Sequence, residues 1–311
     1  IVFGDWSSDV CSSDLDTDGD SDYFPGESRL PGITRTCGTE MPAPVSGGSP
    51  GWGSRYWDCC KPHCSWINNV GNQESRLNKN CNISDMEIKA YEKQIIEHEY
   101  WTETKEVWPE SGCGSSDPGA AYTCWDQAPF AVCDKLAYGF AAVPLSGPDA
   151  CGKCFQLDFD GGFQHGTPRA GHVAMKGKTM IVMASNTGGD VGGGQFDIMI
   201  PGGGLGIFKD GCARQWNVDV NNEAIVGSSH GGFSTTCMAT LPGGEDAPLE
   251  NIKTCVRDMC TNLFGKDSAM QYLLEGCYFY VDWMNAVNNP TFTFKEVACP
   301  AALTGLYKPS I

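Results

Sequence analysis

Cysteine usage constrains this chain more than any other property. Seventeen cysteines are scattered over 311 residues without the repeated pairwise spacing of zinc ligands. Thiols in that number persist as disulfides in an oxidising compartment, so the expectation is a secreted, extracellular protein, or else a vacuolar one, whose loops are stapled covalently. The 39 glycines and 18 prolines agree with an irregular, loop-rich β protein. The string DWSSDVCSSDL at 5–15 resembles a translated sequencing-adapter scar more than natural protein. With Cys11 set aside, sixteen cysteines remain, an even number.

A net charge of −17 argues against nucleic acid or an anionic membrane surface as a partner, because both require clustered Lys and Arg. A neutral polymer would be indifferent to that charge. No apolar run approaches the roughly 20 residues of a membrane span. The chain starts at Ile1, so the lack of a visible signal peptide carries no information on export.

Residues 1–50 have few apolar anchors and many Asp, Gly, Ser and Pro, and read as a disordered leader or linker. Within them Asp14, Asp16, Asp18 and Gly19 match the first half of a calcium loop, but Pro25 stands where the bidentate Glu belongs, which favours a solvated acidic tail and no metal. Residues 51–311 read as one domain. Short apolar runs broken by Gly, Pro and Asn predict strands at 154–159, 179–185, 196–200, 277–283 and 291–297. Two insertions interrupt this pattern. Near 84–110, Ser84 and Glu87 form a capping-box pattern, and Ile88, Tyr91, Ile95 and Tyr100 fall on one face of a helix running to about Trp101. A second, helical or loop insertion is expected near 240–275.

Two strings carry the chemistry. In SRYWDCCKPHCSW (54–66), Asp58 is enclosed by Tyr56, Trp57 and the adjacent Cys59 and Cys60. Aromatic faces beside a carboxylate suit sugar rings, whose axial C–H groups stack on indole and phenol; the bland alternative is a turn cap before a disulfide pair. In GGQFDIMIPGGGLGIF (193–208), Pro201 and three successive glycines cannot continue a strand, so the chain turns sharply just beyond Asp197. The run lacks the Gly-Lys-Ser/Thr ending of a phosphate loop. Asp190, on the glycine arm before Asp197, is either a third carboxylate able to swing over a bound chain or a polar loop residue.

YWDCCKPHCSW, AYTCWDQAPF followed by AYGFAA, and FDIMIPGGGLGIF together resemble glycoside hydrolase family 45. The similarity runs from about Ser54 to Leu303 with two interruptions. It implies a secreted endo-β-1,4-glucanase on a six-stranded double-psi β-barrel, mainly β, with long disulfide-stapled loops and short helical insertions. It also implies inverting hydrolysis of cellulose or related β-glucans by a monomer that needs no cofactor. Asp58 falls on the family's general base, Asp197 on its general acid and Asp190 on its auxiliary carboxylate. Tyr56, Trp66, Ala142 and Phe208 match positions lining the glucan cleft. The apolar neighbours Phe196, Ile198 and Ile200 would raise the acid's pKa, and Arg55 or Lys61 would keep the base ionised.

The same resemblance pairs Cys59 with Cys212, Cys60 with Cys113, Cys64 with Cys151, Cys81 with Cys124, and Cys154 with Cys299. It leaves Cys277 to join one of Cys237, Cys255 or Cys260, and Cys37 and Cys133 unassigned. The chain departs from the family at Gln195, where many members carry His, at the inserted Lys209, and at His230, in a region where an aromatic often meets sugar. The competing reading is an expansin-like, non-hydrolytic wall-loosening or carbohydrate-binding protein, which usually lacks the carboxylate at the position of Asp58.

Overall fold

A computed structural model describes residues 35–144 and 150–311. The adapter-like string and the half calcium loop lie outside the described residues. The strands are β1 (Ser49–Tyr56), β2 (Asn80–Cys81), β3 (Glu87–Ile88), β4 (Glu92–Glu97), β5 (Thr102–Val107), β6 (Phe130–Ala131), β7 (Leu136–Pro144), β8 (Cys154–Phe163), β9 (Thr179–Gly188), β10 (Gln195–Met199) and β11 (Pro290–Val297). The helices are α1 (Ala170–Ala174), α2 (Asp210–Trp216), α3 (Glu223–Val226), α4 (Gly232–Thr240), α5 (Leu249–Phe264), α6 (Gln271–Asp282) and α7 (Ala301–Tyr307).

The main sheet runs β10-β1-β11-β8-β9-β7-β6, and β10 also pairs with β7, so the pairing of six strands returns to its start. The β1/β10 and β7/β9 pairs are parallel; the others are antiparallel. Residues alternate across each strand. On β10, Phe196 and Ile198 are buried while Gln195 and Asp197 are partly open to solvent. Phe196 packs edge-on against Phe155, Phe292 and Phe294, with ring centroids at 5.3, 5.7 and 4.9 Å. Burying a ring of this kind is worth about 2 kcal/mol, and the cluster fixes which face of β10 looks outward.

Among the described residues, eight disulfides close the loops. Five of them join the pairs named by the family resemblance. Cys37 bonds Cys133, Cys237 bonds Cys255, and Cys277 takes Cys260. The last two tie α4 to α5 and α5 to α6. Helix α5 follows Pro248, stops at Gly265 and buries Ile252, Val256, Cys260 and Leu263 along one stripe, as an amphipathic helix requires.

The structure corrects the sequence reading in three places. First, 84–101 is not helical. The Asn82 side chain accepts hydrogen bonds from the Ser84 and Met86 amides at 3.0 Å each, and Asp85 adopts φ 61°, so Ser84 lies in a turn and not at a helix start. The chain then forms the β4–β5 hairpin, rich in β-branched residues. Second, 277–282 belongs to α6 and Trp283 caps it, so no strand forms there. Its Leu273, Gly276, Cys277, Phe279, Tyr280 and Val281 are buried on several sides, and so wide an apolar surface has no readable helical period over seven residues. Third, residues 35–48 do not hang free: besides the Cys37 disulfide, the Val45 amide donates to Asp158 Oδ2 at 2.6 Å.

Apart from Glu106, every residue of β4 and β5 is exposed, so the hairpin contributes little to the core. Replacing Glu92–Val107 by a two-residue Asn-Gly turn should change stability by no more than about 0.5 kcal/mol, the usual range for surface changes, as read by thermal unfolding. A loss of several kcal/mol would show that the hairpin supports the domain.

Candidate active site

Trp52, Ser54 and Tyr56 lie on one face of β1, alternating with buried Gly53 and Arg55. The strand ends at Tyr56, and Tyr56 and Trp57 are held by the glycine turn that follows β10. The Ile200 amide donates to the Tyr56 carbonyl at 2.9 Å, and the Trp57 amide donates to the Gly204 carbonyl at 2.8 Å. A side chain on Gly203 would come within 2.8 Å of the Ile200 carbonyl oxygen and 3.0 Å of the Tyr56 nitrogen. Gly204 takes φ +120°, which residues with a side chain rarely adopt. The turn that terminates β10 therefore also positions Asp58. On the other side Cys59 sits at φ 59°, a left-handed conformation costing about 1–2 kcal/mol. Disulfides from Cys59 to Cys212 and from Cys60 to Cys113 hold it there.

Parallel pairing sets Ser54 against Asp197 and Tyr56 against Met199. Burial pushes the Asp197 carboxyl up to about 6; the Ser54 hydroxyl and Arg55 pull it down, and the charges of Asp190 and Asp58 push it further up. Its Oδ1 is buried without a hydrogen-bond partner, which leaves an acceptor or proton-donor position free for a ligand. Burial also pushes Asp58 up to about 6, opposed by backbone amides, among them Cys60 N–H at 3.0 Å from Oδ1. The expected divergence of the two pKa values is thus absent. Arg55 acts on Asp197, and its guanidinium donates to the Gly231 carbonyl. Lys61 faces Trp66, 3.8 Å from the ring centroid, and donates to the Pro109 carbonyl; burial brings it down to about 7.

The Tyr56 hydroxyl lies within electrostatic reach of both Asp58 and Asp197. Ala142 sits between Asp197 of β10 and Asn186 of β9. Asp190 is exposed on the loop before β10. Trp66 is half-buried and edge-on to Trp108 at 6.3 Å. Phe208 is 63% exposed, with its carbonyl oxygen 3.1 Å from the Cys113 sulfur. Two groups escaped sequence reasoning. Asn186 donates to the Tyr56 hydroxyl at 2.9 Å and accepts from the His63 amide at 2.8 Å; its signal is a polar residue closing the apolar run TMIVMAS. Ser54 accepts from Gln195 Nε2 at 2.8 Å, while Gln195 Oε1 accepts the Gly192 amide at 2.9 Å. Gln195 thereby links the loop that carries Asp190 to the residue facing Asp197.

A carboxyl raised from 3.8 to about 6 keeps its proton in the folded chain after the unfolded chain has lost it. Stability therefore falls as pH rises from about 4 to about 6, and the deficit persists above that. Asp58→Asn should stabilise the protein at pH 7 by about 1–3 kcal/mol, with the gain vanishing below pH 4. Thermal unfolding across pH checks this; equal stability at pH 7 would contradict the buried-carboxylate account.

The sequence model of glycosyl hydrolase family 45 matches residues 50–246. Endoglucanase B of Cellvibrio japonicus is 42% identical over 261 residues, covering 84% of this chain and 45% of that protein. A putative endoglucanase type K of Fusarium oxysporum is 36% identical over 266 residues, covering 84% of this chain and 54% of that protein. This chain thus spans about half the length of these two relatives. A crystal structure of a cellulase from the Antarctic springtail Cryptopygus antarcticus superposes with a TM-score of 0.58 at 29% identity, covering 85% of this chain and 97% of that one. The chain belongs to glycosyl hydrolase family 45.

Proposed function

We propose that the protein is a secreted endo-β-1,4-glucanase that hydrolyses internal bonds of cellulose or a related β-glucan with inversion, Asp197 acting as general acid and Asp58 as general base. The observation that carries this reading is electrostatic. Burial holds both carboxyls near pKa 6, the Asp58 charge adds a small upward push on Asp197, and Asp197 presents an unpartnered oxygen. The productive form has Asp197 protonated and Asp58 ionised. The charges of Asp190 and Asp58 favour the protonated form of Asp197, against the pull of Ser54 and Arg55. Backbone amides favour the ionised form of Asp58.

In the reaction Asp197 delivers its proton to the glycosidic oxygen as that bond breaks. Asp58 takes a proton from a water attacking the anomeric carbon on the opposite face. One water is consumed, the new reducing end has inverted configuration, and the proton on Asp58 returns through solvent to Asp197. Inverting carboxyls stand about 6.5–9.5 Å apart to accommodate that water. Tyr56, Trp66, Ala142 and Phe208 line the sugar path in this reading, and Asp190 tunes the acid. The returning circuit of six strands, together with family membership, supports a double-psi β-barrel. Eight disulfides support an extracellular setting, and among the described residues no helix is long and apolar enough to cross a membrane. The reading requires no cofactor and no second copy of the chain.

Asp58→Asn and Asp197→Asn should each lower kcat on a soluble cellulose derivative by about 10²–10⁴-fold while retaining glucan binding. Binding without hydrolysis by the unmodified protein would instead favour the expansin-like reading. Asp190→Asn removes a charge that raises the acid's pKa, so the basic limb of the kcat/KM profile should move to lower pH. An unmoved limb would detach Asp190 from the acid.

A further inference from the structure

The outward face of β1 continues past the acid. Trp52 lies two residues beyond Ser54 on that face and pairs with Gln195 as Ser54 pairs with Asp197, a displacement of about 6.6 Å along the strand. Its indole is half-buried and meets the His165 ring edge-on at 5.6 Å. His165 in turn meets Phe163 at 5.9 Å, so three rings form a row leading away from Asp197. Two clefts follow this row. One, of about 310 Å³, is lined by Trp52, Ser54 and His230; the next, of about 540 Å³, is lined by Phe163, His165 and Arg169. They share Asn288 and Asn289 as a common wall.

The row is pre-built. The Gln164 amide donates to the Asn289 carbonyl at 3.0 Å, fastening the His165 loop to the wall of the groove. At the far end Arg169 lies 5.6 Å from the centre of the Phe163 ring, held by Glu245 at 2.8 Å and Asp246 at 3.0 Å. Aromatic rings in a groove rimmed by amides and hydroxyls match a polysaccharide, whose rings offer C–H faces and hydroxyl edges. The acidic chain disfavours a polyanion in the same place.

We infer that Trp52, His165 and Phe163 form a binding row for β-linked glucose units on the leaving-group side of the cleft. The inference rests on the glucanase reading above. The order along β1 sets the side: Asp58, the base, comes beyond Tyr56, Asp197 is level with Ser54, and Trp52 lies past the acid that protonates the departing oxygen. Trp52 holds a sugar close to the cleaved bond; Phe163 and His165 hold those further on.

The test uses the whole chain and cello-oligosaccharides of four to six units tagged at the reducing end, so that each product reports which bond was cut. Trp52→Ala should lower kcat/KM on the hexaose by about tenfold, the scale of one lost stacking partner, and move cleavage toward the reducing end. Phe163→Ala should affect only the longer substrates. Trp52→Phe keeps a ring and should restore the bond preference, which separates stacking from a folding defect. An active wild type whose Trp52→Ala variant keeps its cleavage pattern, or loses activity equally at every length without rescue by Phe, overturns this inference alone. A wild type that cleaves no β-glucan overturns the glucanase reading and this inference with it.

Discussion

Two backbone hydrogen bonds, from Ile200 N–H to the Tyr56 carbonyl and from Trp57 N–H to the Gly204 carbonyl, join the end of β1 to the turn after β10. The rest of the site depends on them. They tie the segment that carries Asp58, just beyond the end of β1, to the strand that carries Asp197 about 140 residues later, in a register already set by Ser54 opposite Asp197. Close approach of the two backbones demands Gly203, and α4 adds a second demand. A side chain on Gly232 would come within 1.9 Å of the Gly202 carbonyl oxygen. The glycine run is thus a packing solution for three converging segments, with no phosphate-binding role.

Such a site costs stability. Two half-buried carboxyls have raised pKa values, Asp197 Oδ1 lacks a partner, and Cys59 carries a left-handed backbone. The covalent frame offsets that cost where it arises. Disulfides to α2 and to the loop at Cys113 flank Asp58 directly, while Cys64–Cys151 and Cys154–Cys299 secure the loop and strand behind it. Cross-links that close long loops act mainly by restricting the unfolded chain, so they stabilise the domain without filling the cleft.

Much of this was legible in the sequence, for identifiable reasons. Strands β8, β9, β10 and β11 were found because their apolar runs are bounded by Gly, Pro and Asn. Asp58 and Asp197 were found because their flanking strings are so specific. The hairpin at 92–107 was misread because Ile88, Tyr91 and Ile95 happen to match a helical period, although Ile95 is 69% exposed and its partner across the hairpin is Thr104. The strand expected at 277–283 failed for the opposite reason: α6 is packed on several sides by its neighbours, which erases the amphipathic signal. The charge environment was not legible at all. Arg55 lies three residues from Asp58 in sequence, but its charge acts on Asp197 across the strand pair, and only the register reveals that.

The central claim is that Asp58 and Asp197 act as base and acid on opposite sides of one bond, with a water between Asp58 and the anomeric carbon. Proton NMR of the first product released from a cello-oligosaccharide tests it most directly. The account predicts that the new reducing end appears as the α anomer and then mutarotates. Initial release of the β anomer would mean retention and would contradict the assignment of the two carboxyls.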